Sequence, residues 1–294
     1  MNRRELIAAG VLGAGLTACA KTDSAAPAPA PLSQEETRSA LSGFAVNVES
    51  WWRDAPFEKR FDLAAKAGFN HAEFWFIDSW KRSAAELKKH IPQDLNVAQI
   101  VGDAPELARS DTRVIFLENC KKAVENAKVL NTDIVTLTGH QDVEGISKAE
   151  ALKSYQDHMA AAAPIFEDAK VFAAIEPFNP FNHPGHFIYG HVDALRICEA
   201  INSPFMKINW DLFHMQRHEG NLIDNFKKGA KHVCYVQIAD SPDRHQPSTG
   251  EINHTAVLKT VRETYNRPIG LEFWAKDDEY DSAIGDILTL SATL

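Results

Sequence analysis

From residue 43 onward, the sequence alternates between short apolar runs rich in Val, Ile and Phe and longer stretches with apolar residues three and four positions apart. The short runs indicate buried strands, and the longer stretches indicate amphipathic helices. The eight short runs are residues 44–50, 71–76, 95–101, 133–139, 171–177, 206–211, 233–240 and 268–273. Because parallel strands are joined by crossover connections that are usually helical, this order predicts an α/β protein with a parallel sheet.

The helical stretches fall between these runs. They are residues 57–67, 84–90, 111–130, 149–169, 192–201, 222–229, 255–265 and 278–294. An eightfold repeat of strand and helix predicts a closed (β/α)8 TIM barrel, a single domain over residues 43–294. An open doubly wound sheet usually has a glycine-rich turn after its first strand. Residues 49–54, which follow the first run here, contain no glycine, so the closed barrel is favoured.

The N-terminus has the features of an export signal. A basic start with Arg3 and Arg4 precedes an apolar run over residues 6–16, which is shorter than the roughly 20 apolar residues that cross a bilayer. The sequence LTAC, ending at Cys19, resembles a bacterial lipobox, and the paired arginines resemble a twin-arginine signal. Residues 1–19 are therefore predicted to be a lipoprotein-type signal peptide, with a chance apolar N-terminus as the alternative.

Residues 20–42 are rich in Ala, Pro and Ser and are predicted to be a tether that packs no core. Together with the signal, this tether predicts a lipid-anchored protein of the cell envelope (periplasm), whose only membrane contact is a lipid on Cys19. Three further cysteines, Cys120, Cys198 and Cys234, have no metal-binding spacing and are expected to be buried free thiols. The net charge of −9 argues against a nucleic-acid partner, since phosphate binding needs a basic face.

Four oxygen-bearing side chains end the last four predicted strands. They are Glu176, Asp211, Gln237 and Glu272. The carboxyl ends of barrel strands carry the active site, so these groups are expected to converge there. Buried carboxylates at one site repel each other unless a cation lies between them, and an all-oxygen set suits Mg²⁺ or Mn²⁺. The alternative is that each is a separate polar group facing solvent.

Several motifs resemble the hydroxypyruvate isomerase family of the xylose isomerase-like barrel superfamily. They are EPFN at 176–179, DLFHMQRHEGN at 211–221, QIADSPDRHQPSTGEINH at 237–254 and LEF at 271–273. The likeness extends from about residue 44 to residue 272. The resemblance implies a metal-assisted isomerase that interconverts hydroxypyruvate and 2-hydroxy-3-oxopropanoate (tartronate semialdehyde) through an enediolate. It implies that Glu176 and Glu272 are the acid/base pair.

By the same resemblance, Glu176, Asp211, Gln237 and Glu272 would bind the metal. The metal would act as a Lewis acid on the substrate oxygens. Related 3-epimerases generally have a histidine where this chain has Gln237, which favours an isomerase.

The remaining candidates are expected to contact a small-molecule substrate, a short 2-oxo acid or a sugar. His214 stands three residues after Asp211, a spacing at which related epimerases contact substrate. Arg244 is preferred to Arg217 as the partner of a substrate carboxylate, which an arginine can bind bidentately.

Residues 179–187 depart from the family pattern, because His183 precedes and His186 follows the Pro-Gly pair. These substitutions are expected to affect substrate choice, and His183 is a further candidate for substrate binding. Glu73 and His140 also end strands toward the mouth and are expected to be structural.

Other functions stay open at this level. The alternatives are an epimerase or isomerase of another short sugar or 2-oxo acid, and a non-catalytic sugar-binding lipoprotein of the envelope. An apurinic endonuclease, which shares the barrel, is disfavoured by the acidic charge. A homo-oligomer is compatible with the sequence.

Overall fold

The computed structural model describes residues 32–294, and the predicted signal peptide and most of the predicted tether lie outside them. Eight parallel strands form a closed barrel in chain order, with β1 pairing β8 to complete the ring. The strands are β1 Phe44–Asn47, β2 His71–Phe76, β3 Asn96–Gly102, β4 Ile134–Leu137, β5 Phe172–Ile175, β6 Met206–Asp211, β7 Val233–Ile238 and β8 Ile269–Leu271. The predicted (β/α)8 barrel is confirmed.

Helices surround the barrel, and most of them lie where the apolar spacing predicts. They are α1 Gln34–Leu41, α2 Phe57–Lys66, α3 Ala84–His90, α4 Arg113–Leu130, α5 Lys148–Ala169, α6 His191–Ile201, α7 Leu212–His218, α8 Leu222–Gly229, α9 His254–Arg262 and α10 Tyr280–Ser291. Two of them, α1 and α7, were not predicted from the sequence. No helix within residues 32–294 is long and apolar enough to cross a membrane.

Helix α1 corrects the boundary of the predicted tether, which extended to residue 42. The helix begins with a capping box: Ser33 Oγ accepts the Glu36 amide at 3.3 Å, and Glu36 Oε2 accepts the Ser33 amide at 2.8 Å. At its other end Leu41 is fully buried, and the helix packs against α10. The capped turn and this buried anchor make residues 34–41 part of the barrel domain.

The interior of the barrel is polar toward the carboxyl ends of the strands, where many barrels have branched apolar side chains. Asn47, Gln99 and Gln237 all donate to the buried carboxylate of Glu73, at 3.1–3.2 Å. Gly270 leaves the space for this carboxylate, because a Cβ there would lie 2.8 Å from Glu73 Oε2. The network holds the strands together beneath the mouth of the barrel and supports the structural role predicted for Glu73.

Cys120, Cys198 and Cys234 are buried free thiols, as predicted. Burial raises the pKa of the Cys120 thiol to about 12, so it stays protonated and unreactive at neutral pH.

Candidate active site

A cavity of about 650 Å³ opens at the carboxyl ends of the strands, where a barrel enzyme has its active site. Its wall combines aromatic rings with polar groups. The aromatic residues are Trp75, Phe76, Trp80, Phe178 and Trp274. Glu176, Gln237 and Glu272 line the same cavity, so three of the four predicted strand-end groups meet in one place.

Asp211, the fourth group, lies at the start of α7. Its Oδ1 accepts the Phe213 amide at 2.8 Å, so Asp211 both ends β6 and caps the helix that follows. One turn later the helix places His214, and ligand atoms of Glu176, Asp211 and His214 all lie within 4.8 Å of one another. The acid and histidine after β6 therefore belong to the site, and a solvated loop is excluded for both.

Arg244 bridges two of the carboxylates. Its Nη2 lies 2.9 Å from Asp211 Oδ2 and 2.9 Å from Glu272 Oε2. A single positively charged atom can therefore contact both acids at once. Arg244 was predicted to bind a substrate carboxylate, but in this structure its Nη2 is paired with the protein's own carboxylates.

Burial and mutual repulsion disfavour ionisation of these acids. Burial raises the pKa of Glu176 well above its usual value, and the charges of Glu272 and Asp211 raise it further. Burial also raises the pKa of Asp211 to about 7, although Arg244 opposes the change. Three buried carboxyl groups around one arginine leave negative charge uncompensated when all are ionised, so the donor set fits a divalent cation.

The side-chain amide of Gln237, a predicted metal ligand, already forms hydrogen bonds through both its oxygen and its nitrogen. Its Oε1 accepts from Asn209 Nδ2 at 2.6 Å, and its Nε2 donates to the Glu73 carboxylate. The amide is therefore fixed with one of its oxygen lone pairs already used. An amide oxygen has two lone pairs, so Gln237 keeps one acceptor position for a cation.

The protonation of His214 follows from its neighbour Asn179. Asn179 Oδ1 accepts the backbone amides of Phe181 and Asn182, both at 3.0 Å, which fixes its amide group. Its Nδ2 then donates to His214 Nδ1 at 2.7 Å. Because burial keeps the pKa of His214 well below the usual value, the neutral ring carries its proton on Nε2.

The Nε2–H of His214 is buried and has no hydrogen-bond partner among residues 32–294. The Nε2 atom of His214 lies 3.4 Å from Asp211 Oδ2 and 3.7 Å from Glu176 Oε1. A protonated nitrogen donates a hydrogen bond and does not bind a metal. The geometry therefore favours the predicted substrate contact over a ligand role for His214.

The other two predicted substrate-binding residues differ in position. His183 lines the cavity, with its ring stacked on Phe178 at a centroid distance of 4.1 Å. Arg217 lies on α7 with its guanidinium 4.9 Å from the Phe181 ring, and it does not line the cavity. Arg217 lies about one turn further along α7 than His214, and the structure does not bring it to the site.

Two groups that act on the site were not identified from sequence. Trp75 Nε1, on β2, donates at 2.8 Å to Oε1 of Glu272, the residue after β8; these two strands flank β1. Asn179 fixes His214, as described above. The EPFN motif contains Asn179, so a signal existed for it. Nothing in the run HAEFWF separates Trp75 from an aromatic that only fills space.

Comparisons with known proteins identify relatives of this chain. Residues 61–289 match a family model described as xylose isomerase-like TIM barrel. Hydroxypyruvate isomerase from Escherichia coli K12 is 28% identical over 238 residues, covering 78% of this chain and 92% of the relative. The 2-oxo-tetronate isomerase from Cupriavidus necator is 26% identical over 240 residues, with the same coverage of the two chains.

Solved structures show the same fold. The crystal structure named AP endonuclease, family 2, from Brucella melitensis matches with a TM-score of 0.74 and 25% identity, covering 80% of this chain and 94% of that chain. An E. coli 3-keto-D-glucoside 4-epimerase matches with a TM-score of 0.72 at 16% identity, covering 86% of this chain and all of that chain. With the family model matching most of the sequence, the chain belongs to the xylose isomerase-like TIM barrel family.

Proposed function

We propose that this protein is an aldose–ketose type isomerase that uses a divalent metal, Mg²⁺ or Mn²⁺, and acts on a short 2-oxo acid. The observation that carries the proposal is a group of three buried carboxylates at the mouth of the barrel: Asp211 and Glu272 contact the same atom of Arg244, and Glu176 lies within 4.8 Å of Asp211. The relatives named hydroxypyruvate isomerase and 2-oxo-tetronate isomerase support the reaction class. Hydroxypyruvate is the candidate substrate, with 2-hydroxy-3-oxopropanoate as its product.

The metal would be held by Glu176, Asp211, Gln237 and Glu272. When bound, it supplies positive charge that stabilises the enediolate oxygens. The chain's own part is to orient the substrate and move one proton between adjacent carbons. His214 Nε2–H, which has no acceptor among the described residues, would donate to a substrate oxygen.

The environments of the two glutamates suggest how they divide the proton transfer. Burial raises the pKa of Glu272, but the charge of Arg244 and hydrogen bonds from Trp75 and Arg244 oppose the rise and stabilise the ionised form. Glu176 has no such donor on its side chain, and its pKa is raised well above the usual value. A pair whose pKa values are pushed apart in this way can serve as base and acid. Glu272 would remove a proton from one carbon, and protonated Glu176 would donate its own proton to the next carbon. Proton exchange with solvent would then restore both side chains.

The proposal is tested by proton exchange from hydroxypyruvate into D₂O with added Mg²⁺ or Mn²⁺, followed by NMR. We expect exchange in the native protein and a loss of at least about 100-fold in Glu176→Gln and Glu272→Gln, the scale of general acid–base catalysis. Glu263→Gln, at an exposed position after α9, is the matched control and should leave the rate unchanged. Unchanged exchange in both active-site variants would overturn the mechanism. Binding of small keto acids or sugars with no turnover of any would favour the non-catalytic binding protein.

A DNA substrate is not favoured by the charge, although a matching structure is named an AP endonuclease. The net charge of −9 would repel a phosphate backbone.

The envelope location and the lipid on Cys19 are part of the proposal and rest on the sequence of residues 1–19. Membrane fractionation of native and Cys19→Ala protein tests them: only the native chain should partition into the membrane fraction. Light scattering of the purified protein tests for the homo-oligomer with which the sequence is compatible.

A further inference from the structure

We propose that His186 and Gln141 form a hydroxyl-binding subsite at one end of the cavity, so that the preferred substrate has more than three carbons and a hydroxyl group remote from the reacting carbons. This inference rests on the proposed function and specifies its substrate class. Both residues line the cavity together with the candidate active-site carboxylates. They also pair with each other in an isolated antiparallel bridge, which places them side by side.

The hydrogen bonds of His140 determine which nitrogen of His186 carries a proton. His140 Nε2 lies 2.9 Å from the backbone oxygen of Glu176, which can only accept, so Nε2 carries the proton of His140. Its Nδ1 is then an acceptor, and His186 Nδ1 lies 3.1 Å from it. His186 must donate this bond, so its proton is on Nδ1.

The second nitrogen of His186 is therefore a free acceptor. Nε2 lies on the ring edge turned away from the donating Nδ1, and it forms no hydrogen bond with residues 32–294. A neutral histidine with this tautomer accepts one hydrogen bond and offers no donor to the cavity. Burial lowers the pKa of His186, which is consistent with a neutral ring.

Gln141 adds a primary amide beside this acceptor. Its Oε1 is buried without a hydrogen-bond partner in the described part of the chain, and its Nε2 donates to none of residues 32–294. An acceptor nitrogen next to an amide N–H donor suits a hydroxyl group, which can donate to the first and accept from the second. A carboxylate has no proton to donate to His186 Nε2, so the subsite fits a hydroxyl group better than the acid end of the substrate.

The distance from the reacting end favours a longer substrate. The His186 and His214 rings both pack against the Phe178 ring, at centroid distances of 5.0 Å and 5.2 Å, and no ring contact joins the two histidines in residues 32–294. With C–C bonds of about 1.5 Å, the carbon chain of a three-carbon acid spans only about 2.5 Å. The cavity of about 650 Å³ is of a size that holds drug-sized ligands. A three-carbon acid held beside His214 would leave His186 and Gln141 unpaired.

Substrate pairs test the subsite directly. The kcat/KM is measured for hydroxypyruvate and for four- and five-carbon 2-oxo acids hydroxylated on each further carbon. Each longer acid is compared with its analogue that lacks the terminal hydroxyl. We expect the native protein to prefer at least one hydroxylated acid by about tenfold, the scale of one hydrogen bond to a neutral group. In His186→Phe this preference should fall to about twofold or less, whereas His90→Phe, an exposed histidine on α3, should retain it.

A second readout separates failure of the subsite from failure of the proposed function. Calorimetry measures binding of a five-carbon polyol acid and its terminal deoxy analogue to native and His186→Phe protein, without any turnover. Turnover of the acids without a hydroxyl preference in the native protein would overturn the subsite and leave the isomerase standing. Absence of turnover with a binding preference that His186→Phe abolishes would overturn the isomerase and support the subsite. Absence of a preference in both measurements overturns the inference.

Discussion

Without metal, the protein should lose stability as the pH rises from about 6.5 to about 8, because folding buries carboxyl groups in their protonated form. Burial raises the pKa of Glu73 to about 8, and the charge of Glu272 adds to this effect. Burial raises the pKa of Asp211 to about 7. In the unfolded chain these groups ionise near 4.5 and 3.8, so the folded state binds more protons throughout this window.

The buried histidines set the lower limit of the window. Burial lowers the pKa of His140 to about 3 and that of His183 to about 4. Below about pH 6.5 the unfolded chain protonates these rings and the folded chain does not, so their contribution to stability falls as the pH falls. Above that pH the rings are neutral in both states, and only the carboxyl groups change stability.

The expected magnitude follows from the two pKa values. Glu73 and Asp211 together lower the free energy of unfolding by about 2 kcal/mol between pH 6.5 and pH 8, at 1.36 kcal/mol for each proton and pH unit. For a domain of this size the melting temperature should fall by about 4–8 °C. Saturating Mg²⁺ or Mn²⁺ should reverse the loss, because a cation that binds only the folded protein stabilises it.

Thermal melting in a chelator, and again with metal, measures both effects at several pH values. Asp211→Asn should reduce the fall in melting temperature between pH 6.5 and pH 8 by about a third, because Asp211 contributes less to the loss of stability than Glu73 does. Asp168→Asn, an exposed position on α5, should leave it unchanged. A metal-free melting temperature that stays constant or rises between pH 6.5 and pH 8 would refute the placement of protonated carboxyl groups in the barrel.

Three further predictions concern single side chains. Trp75→Phe removes the donor that favours ionised Glu272, so the acidic limb of the kcat pH profile should move to higher pH by about half a pH unit or more. A limb that does not move would show that this hydrogen bond does not tune the catalytic base. Asn179→Asp keeps the two backbone contacts but replaces the N–H donor with an acceptor, so the proton of His214 should shift to Nδ1 and donate to the carboxylate. We expect kcat/KM to fall about tenfold or more; ¹⁵N NMR of the ring reports the tautomer, and an unchanged spectrum would contradict the assignment. Arg267→Ala removes a partly exposed ion pair with Asp133, so the free energy of unfolding should fall by less than about 1 kcal/mol in denaturant titration, and activity should not change. A larger loss of stability would show that solvent does not screen this pair.

The sequence by itself determined the barrel and the positions of its chemistry along the chain. Eight apolar runs separated by amphipathic stretches leave few architectures, and the order of parallel strands places every strand end at the same rim. Glu176 and Glu272 could therefore be assigned to one cavity without coordinates. Helix α1 was missed because its signal is one capping box and one buried anchor, at Ser33 and Leu41, after a stretch of Ala and Pro.

Only the tertiary structure decided how these groups are paired, because the partners come from distant strands. Trp75 reaches Glu272 across 197 positions of sequence, and no local pattern encodes such a contact. Position along α7 decided that His214 lines the cavity and that Arg217, about one turn later, does not. The tautomers of His186 and His214 were decided by which acceptors and donors the fold places beside each ring, since an isolated imidazole has no strong preference between its two nitrogens.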